Sequence, residues 1–191
     1  PVNFGHETTP IPYVQQVTEA GLQHGFQICS HAIGDRANRE VLDIYQAAFK
    51  KYPEKAKNHR FRIEHAQHIS DEDIPRFAQM GVIPSMQAIH MSSDRPWAIF
   101  RLGLGRIQEG AYVWQKLLDT GAKVINGTDA PVEPIDPIAC FYASVTRKTL
   151  DGTPEGGYEP DQSMTREQAL RSYTLDAAYG AFEEDIKGSI K

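Results

Sequence analysis

Three short apolar runs in this chain end in a side chain able to hold a metal ion. The endings are Ser30-His31-Ala32, Glu64-His65-Ala66 and Thr128-Asp129-Ala130. Neutral imidazole and carboxylate suit zinc and similar divalent ions. The three residues lie 34 and 64 positions apart, so only the fold can bring them together. If each run is a strand of one parallel sheet, all three ends share a rim, where catalytic groups sit in (β/α) barrels. A fourth run ends in Met86-Gln87, with His90 three residues on. Gln87 and His90 are expected to face substrate without binding metal.

Each of these residues also has a plain structural reading. A histidine at a strand end often serves only as a hydrogen-bonding group, and Asp129 after Gly127 is a good turn former. An unrelated open α/β sheet with fortuitous histidines is a further alternative. Three such endings on one rim weigh against coincidence. His6, His24, His59 and His68 are expected to be solvated or structural. Glu64 either orients a ligand or pairs with Arg62.

The elements that would position these groups follow a repeating plan of helix, glycine, apolar strand and polar loop. Pro10 and Pro12 after Thr8 and Thr9 start a helix, and Gly25 sits where its C-terminal cap belongs. Residues 26–30 form the first expected strand. Ala37, Val41, Ile44, Tyr45, Ala48 and Phe49 fall at helical spacing, and residues 60–64 form the second strand. Ser70 with Asp73 resembles a capping box ahead of Ile74, Phe77 and Met80. Residues 82–86 form the third strand. A long connection, 87–108, carries Trp97 and Phe100 as candidates for packing or substrate contact; such a stretch is a functional loop or hides a short helix. A helix closed by Gly121 leads to the fourth strand, 122–126. Residues 138–145 are expected to be helical, and Thr165-Arg166-Glu167-Gln168 is a second capping box. Alternating strands and helices imply a parallel sheet. Four strands alone would suit an open sheet, whereas a complete barrel needs eight strands and about 250 residues.

The bulk properties narrow the classes. The chain has 191 residues, 40% hydrophobic and 24% charged, with a formal net charge of -5. That balance argues against nucleic acid or a membrane surface as partner. No apolar run approaches the ~18 residues of a membrane span. Residues 1–5 carry neither a basic nor an apolar leader region, so no signal peptide is expected. Cys29 and Cys140 form no disulfide framework; both are expected to be reduced and mostly buried, in a cytoplasmic protein.

At its motifs the chain resembles the amidohydrolase superfamily, specifically amidohydrolase family 3 with its formamide deformylase-like enzymes. His31-Ala32-Ile33-Gly34-Asp35-Arg36-Ala37 is similar to the fifth-strand segment and Arg62-Ile63-Glu64-His65-Ala66-Gln67 to the sixth. Asn126-Gly127-Thr128-Asp129-Ala130-Pro131-Val132 is similar to the eighth. Ala169-Leu170-Arg171-Ser172-Tyr173-Thr174 and Glu184-Asp185-Ile186-Lys187-Gly188-Ser189 fit the late region. The likeness implies a TIM-barrel-like (β/α)8 metal-dependent hydrolase of amide-like C–N bonds, with residues 1–191 forming one partial barrel domain over strands five to eight. It implies His31, His65 and Asp129 as ligands of a divalent metal, zinc above others, with Asp129 also taking a proton. A small-molecule substrate follows, and the C-terminal helices from about residue 150 would lead toward a β-sandwich segment. The family's His-x-His pair and fourth-strand ligand have no counterpart here. Hence the isolated piece is expected to be inactive. The alternative is a non-catalytic half-barrel or ligand-binding remnant that self-associates as a homo-oligomer.

Overall fold

In a computed structural model, residues 5–190 form a four-stranded parallel sheet with helices packed against it. Pro1 to Phe4, four of the five residues considered for a leader, and Lys191 lie outside the described residues. The strands are β1 (Cys29–Ala32), β2 (Arg62–His65), β3 (Ile83–Met86) and β4 (Ile125–Asn126). They pair in chain order, each with the next. Before β1 runs α1 (Ile11–His24). The crossovers are α2 (Asp35–Lys51), α3 (Ile74–Met80), and then α4 (Ala88–Leu102), α5 (Leu104–Gly110) and α6 (Trp114–Asp119) together. After β4 come α7 (Pro137–Thr146), α8 (Arg166–Tyr173) and α9 (Leu175–Gly180).

Helix α2 illustrates why these segments fold as they do. Val41, Leu42, Ile44, Tyr45 and Ala48 are all buried, a stripe at the 3.6-residue period. Lys50 and Lys51 occupy its last turn, where cations offset the helix dipole. The buried stripe meets Phe61 and Ile63, both fully enclosed. Each such side chain contributes about 1.5–3 kcal/mol on leaving water. The Tyr45 hydroxyl donates to Ser30 Oγ (2.7 Å) or the Arg62 carbonyl (3.0 Å), so one helix residue ties β1 to β2.

Register defines the two faces of the sheet. His31, Glu64, Ser85 and Ile125 stand in one row across all four strands, and Cys29, Arg62 and Ile83 form the row below. Paired residues in a parallel sheet point to the same face, and in a closed barrel this would be the interior. Cys29 and His31 are exposed on it. The expectation of a buried Cys29 is therefore corrected: alternation places it on the face opposite Ala32, where it is exposed. Cys140 is buried as expected.

Other expectations shift as well. His31 lies within β1 rather than after it, because the strand begins three residues later than the apolar run. The connection 87–108 is two helices. The Ser70–Asp73 capping box does not form; the Asp73 carboxylate instead pairs with Arg39 (2.7 Å) and Arg76 (2.9 Å). The Thr165–Gln168 box forms in both directions. Close packing of α5 on the turn after β2 requires Gly110, where a Cβ would lie 2.0 Å from the Ile69 carbonyl oxygen.

Candidate metal centre

The carboxyl ends of the strands gather His31, His65, His90 and Asp129. His65 is the last residue of β2, and simple alternation would send its side chain toward the helices with Ala32, its register partner. Its backbone is left-handed instead, with φ 75°, followed by Ala66 at φ 45°. Few non-glycine residues adopt this region, and strain there clusters at functional sites. Two backbone bonds hold the turn against the end of β1: Ala66 N–H to the Ala32 carbonyl (3.0 Å) and His68 N–H to the Ile33 carbonyl (2.9 Å). The turn swings the His65 ring beside His31, with ring centroids 4.4 Å apart in an edge-on arrangement.

Asp129 follows β4 with φ 61°, again left-handed. Its carbonyl accepts from Val132 N–H (2.8 Å), which closes a tight turn. That turn aims the carboxylate across the rim, and Asp129 Oδ2 reaches to 3.3 Å from His90 Nε2. His90 arrives from the other direction. Strand β3 ends at Met86 and α4 begins at Ala88, so His90 sits in the first turn of a helix that starts on the rim. It is buried, and its ring stacks on that of His65 at 5.5 Å with an interplanar angle of 21°.

Donor atoms of His65, His90 and Asp129 all lie within 4.8 Å of one another. Bonds of 2.0–2.2 Å in a tetrahedral site imply donors about 3.4 Å apart. Small side-chain adjustments bring this set to that spacing, so its chemistry and dimensions fit one divalent ion. The fit differs from the sequence expectation: His90, assigned there to substrate, joins the compact set, while His31 packs against His65 at its side. Gln87, the other substrate candidate, has its Oε1 2.7 Å from His65 Nδ1 and its Nε2 3.2 Å from the Ser85 carbonyl oxygen.

Electrostatics favour a neutral His31. Partial burial of the His31 ring lowers its pKa, and the adjoining His65 lowers it further; Asp129 and Glu64 act in the opposite sense. A neutral imidazole keeps a lone pair available to a metal. Glu64 pairs with Arg62 at 2.8 Å, which resolves its two sequence readings toward the ion pair. The remaining histidines behave as structural groups where their surroundings are defined. His59 stacks on Phe49 and contacts the Met80 carbonyl oxygen, and His68 packs edge-on against Tyr112. Trp97 and Phe100 are exposed at 52% and 85%, so neither packs in the core.

A parallel α/β sheet with a histidine and aspartate cluster on its carboxyl rim belongs to the metal-dependent hydrolase architecture. The model of the amidohydrolase family matches residues 4–191, and the chain belongs to that family. It is 32% identical over 190 residues to Protein LONG AFTER FAR-RED 3 of Arabidopsis thaliana, covering 100% of this chain and 32% of that protein. It is 27% identical over 169 residues to the N-substituted formamide deformylase of Arthrobacter pascens, covering 87% of this chain and 30% of that enzyme. Among solved structures, an uncharacterized metal-dependent hydrolase from Pyrococcus furiosus aligns with a TM-score of 0.81 and 29% identity, over 99% of this chain and 36% of that one. The chain thus spans about a third of the length of the relatives it matches.

Proposed function

We propose that this chain supplies the metal-binding rim of a hydrolase acting on amide-like C–N bonds of a small molecule. The observation that carries the reading is the convergence of His65, His90 and Asp129 donors within 4.8 Å on the carboxyl rim of the sheet. Two imidazoles and a carboxylate suit zinc best among common divalent ions. An ion in such a site polarises a carbonyl and lowers the pKa of a water molecule toward ~7. Similarity to an N-substituted formamide deformylase supports an amide-like carbonyl as the target.

The chain's own residues then divide the work. His65, His90 and Asp129 would hold the ion, with His31 beside His65. Asp129 accepts a proton from the attacking water and returns it to the leaving nitrogen, the usual task of a carboxylate beside such a water. Residues beyond those present here complete the reaction in the whole protein.

Amine release from a panel of N-formyl and N-acyl amines tests this in the whole protein. Asp129→Asn is expected to reduce turnover by about 10²–10⁴-fold, the range for general acid–base groups. Turnover at the wild-type rate in that variant would refute the assignment.

A further inference from the structure

We infer that Gln87 is a positioning residue that locks His65 in the tautomer whose Nε2 is free to bind metal. The inference rests on the metal-site reading above. It follows from two contacts and the fixed roles of the atoms that make them. The Ser85 carbonyl oxygen can only accept, so the Gln87 atom facing it at 3.2 Å must be the amide Nε2. The other end of the amide, Oε1, therefore faces His65 Nδ1 at 2.7 Å. Oε1 can only accept, so Nδ1 must carry the proton. A neutral imidazole holds one proton, which leaves a lone pair on Nε2. The backbone at His65 is left-handed and already fixes where the ring emerges; Gln87 fixes which way it is turned.

The position of Gln87 makes it suited to this. It lies between the last residue of β3 and the first of α4, in extended backbone at φ −134°. Its anchor, Ser85, belongs to the strand beside β2 and is the register partner of Glu64, one residue before His65. The amide thus bridges a fixed strand carbonyl and the imidazole one strand away, and it is 9% exposed, so water competes little for either contact. Groups that orient a ligating histidine through its second nitrogen typically set metal affinity by 10–100-fold.

The test combines a metal-free and a metal-dependent reading. Long-range ¹⁵N–¹H spectra of the metal-free protein near pH 8, with His65 signals identified by their loss in His65→Asn, report the tautomer. The wild type is expected to hold His65 as the Nδ1–H form. Gln87→Leu is expected to mix the tautomers and to raise the zinc dissociation constant, measured by chelator competition, by about 10–100-fold. Gln87→Glu, which keeps an acceptor toward Nδ1, is expected to retain the tautomer and most of the affinity. An Nδ1–H form undisturbed in Gln87→Leu, or an Nε2–H form in the wild type, would overturn the inference. A wild type that binds no zinc would refute the metal-site reading, while the spectra would still decide the role of Gln87.

Discussion

Histidine side chains in this protein are sorted by what surrounds them, and the sorting has consequences for pH. His68 is enclosed beside Tyr112, with Nδ1 lacking a hydrogen-bond partner among the described residues. Burial pushes its pKa down to about 4; Asp35 opposes this and Arg106 adds to it. A group with a depressed folded-state value binds more protons when unfolded between about 4 and its ordinary value near 6.5. Stability from His68 is therefore present above that window and lost as pH falls through it, at about 1.4 kcal/mol per pH unit. Urea unfolding at pH 7 and pH 4.5 is expected to show a smaller loss of stability in His68→Phe than in the wild type. Equal losses would contradict a buried neutral imidazole. At this scale much of the site was legible. His31, His65 and Asp129 stand out because each terminates an apolar run. The helical setting of His90 was not legible for a physical reason: α4 contains Pro96, which ordinarily breaks a helix, and its N-cap Gln87 makes no side-chain capping bond. The rim position of His90 was hidden inside an apparent loop.

Elements obey local signals until a stronger partner claims the same atoms. Ser70–Asp73 and Thr165–Gln168 carry the same capping pattern, yet only the second forms. Asp73 is 2% exposed and bound to two guanidinium groups. An ionised carboxylate enclosed among arginines gains more from those charge-assisted bonds than from a neutral backbone N–H. Thr165 has no such competition, so its Oγ1 accepts from Gln168 N–H at 3.1 Å while Gln168 Oε1 accepts from Thr165 N–H at 2.7 Å. Thr165→Ala is expected to cost about 1 kcal/mol in chemical unfolding. Thr165→Ser is expected to cost a small fraction of that, and a silent Thr165→Ala would mean the box carries no stability. Strand positions were less legible than strand identities. The expected runs began two or three residues early at β1, β2 and β4, because apolar residues such as Ile28, Phe61 and Val124 precede the paired stretch.

Across the whole molecule the two ends of the sheet have separate tasks. The carboxyl ends carry the imidazole and carboxylate cluster, and the amino ends are closed by the C-terminal segment. Arg60, just before β2, lies over the rings of Tyr179 (3.7 Å) and Phe182 (4.2 Å) and bonds both oxygens of Glu184 (2.9 and 2.7 Å). It also donates to the Tyr179 carbonyl (2.6 Å). Gln27 and Arg62 donate to the Gly180 carbonyl, so α9 is held under two strands at once. Arg60→Ala removes the ring stacking and the bidentate pair together. It is expected to destabilise the fold by about 2 kcal/mol and to speed proteolysis within residues 181–190. Proteolysis at the wild-type rate would show that Arg60 does not hold this segment. None of this closure was visible in the sequence, since its contacts join residues more than a hundred positions apart. Among the described residues no helix is long and apolar enough to cross a membrane, as the sequence suggested.

The most direct test of the account is metal content. The protein is equilibrated with zinc, freed of unbound ion and analysed by elemental mass spectrometry beside His65→Ala. The wild type is expected to retain about one ion at a His-and-carboxylate site, and the folded variant to retain none. An ion kept by His65→Ala, or none kept by the wild type, would contradict it.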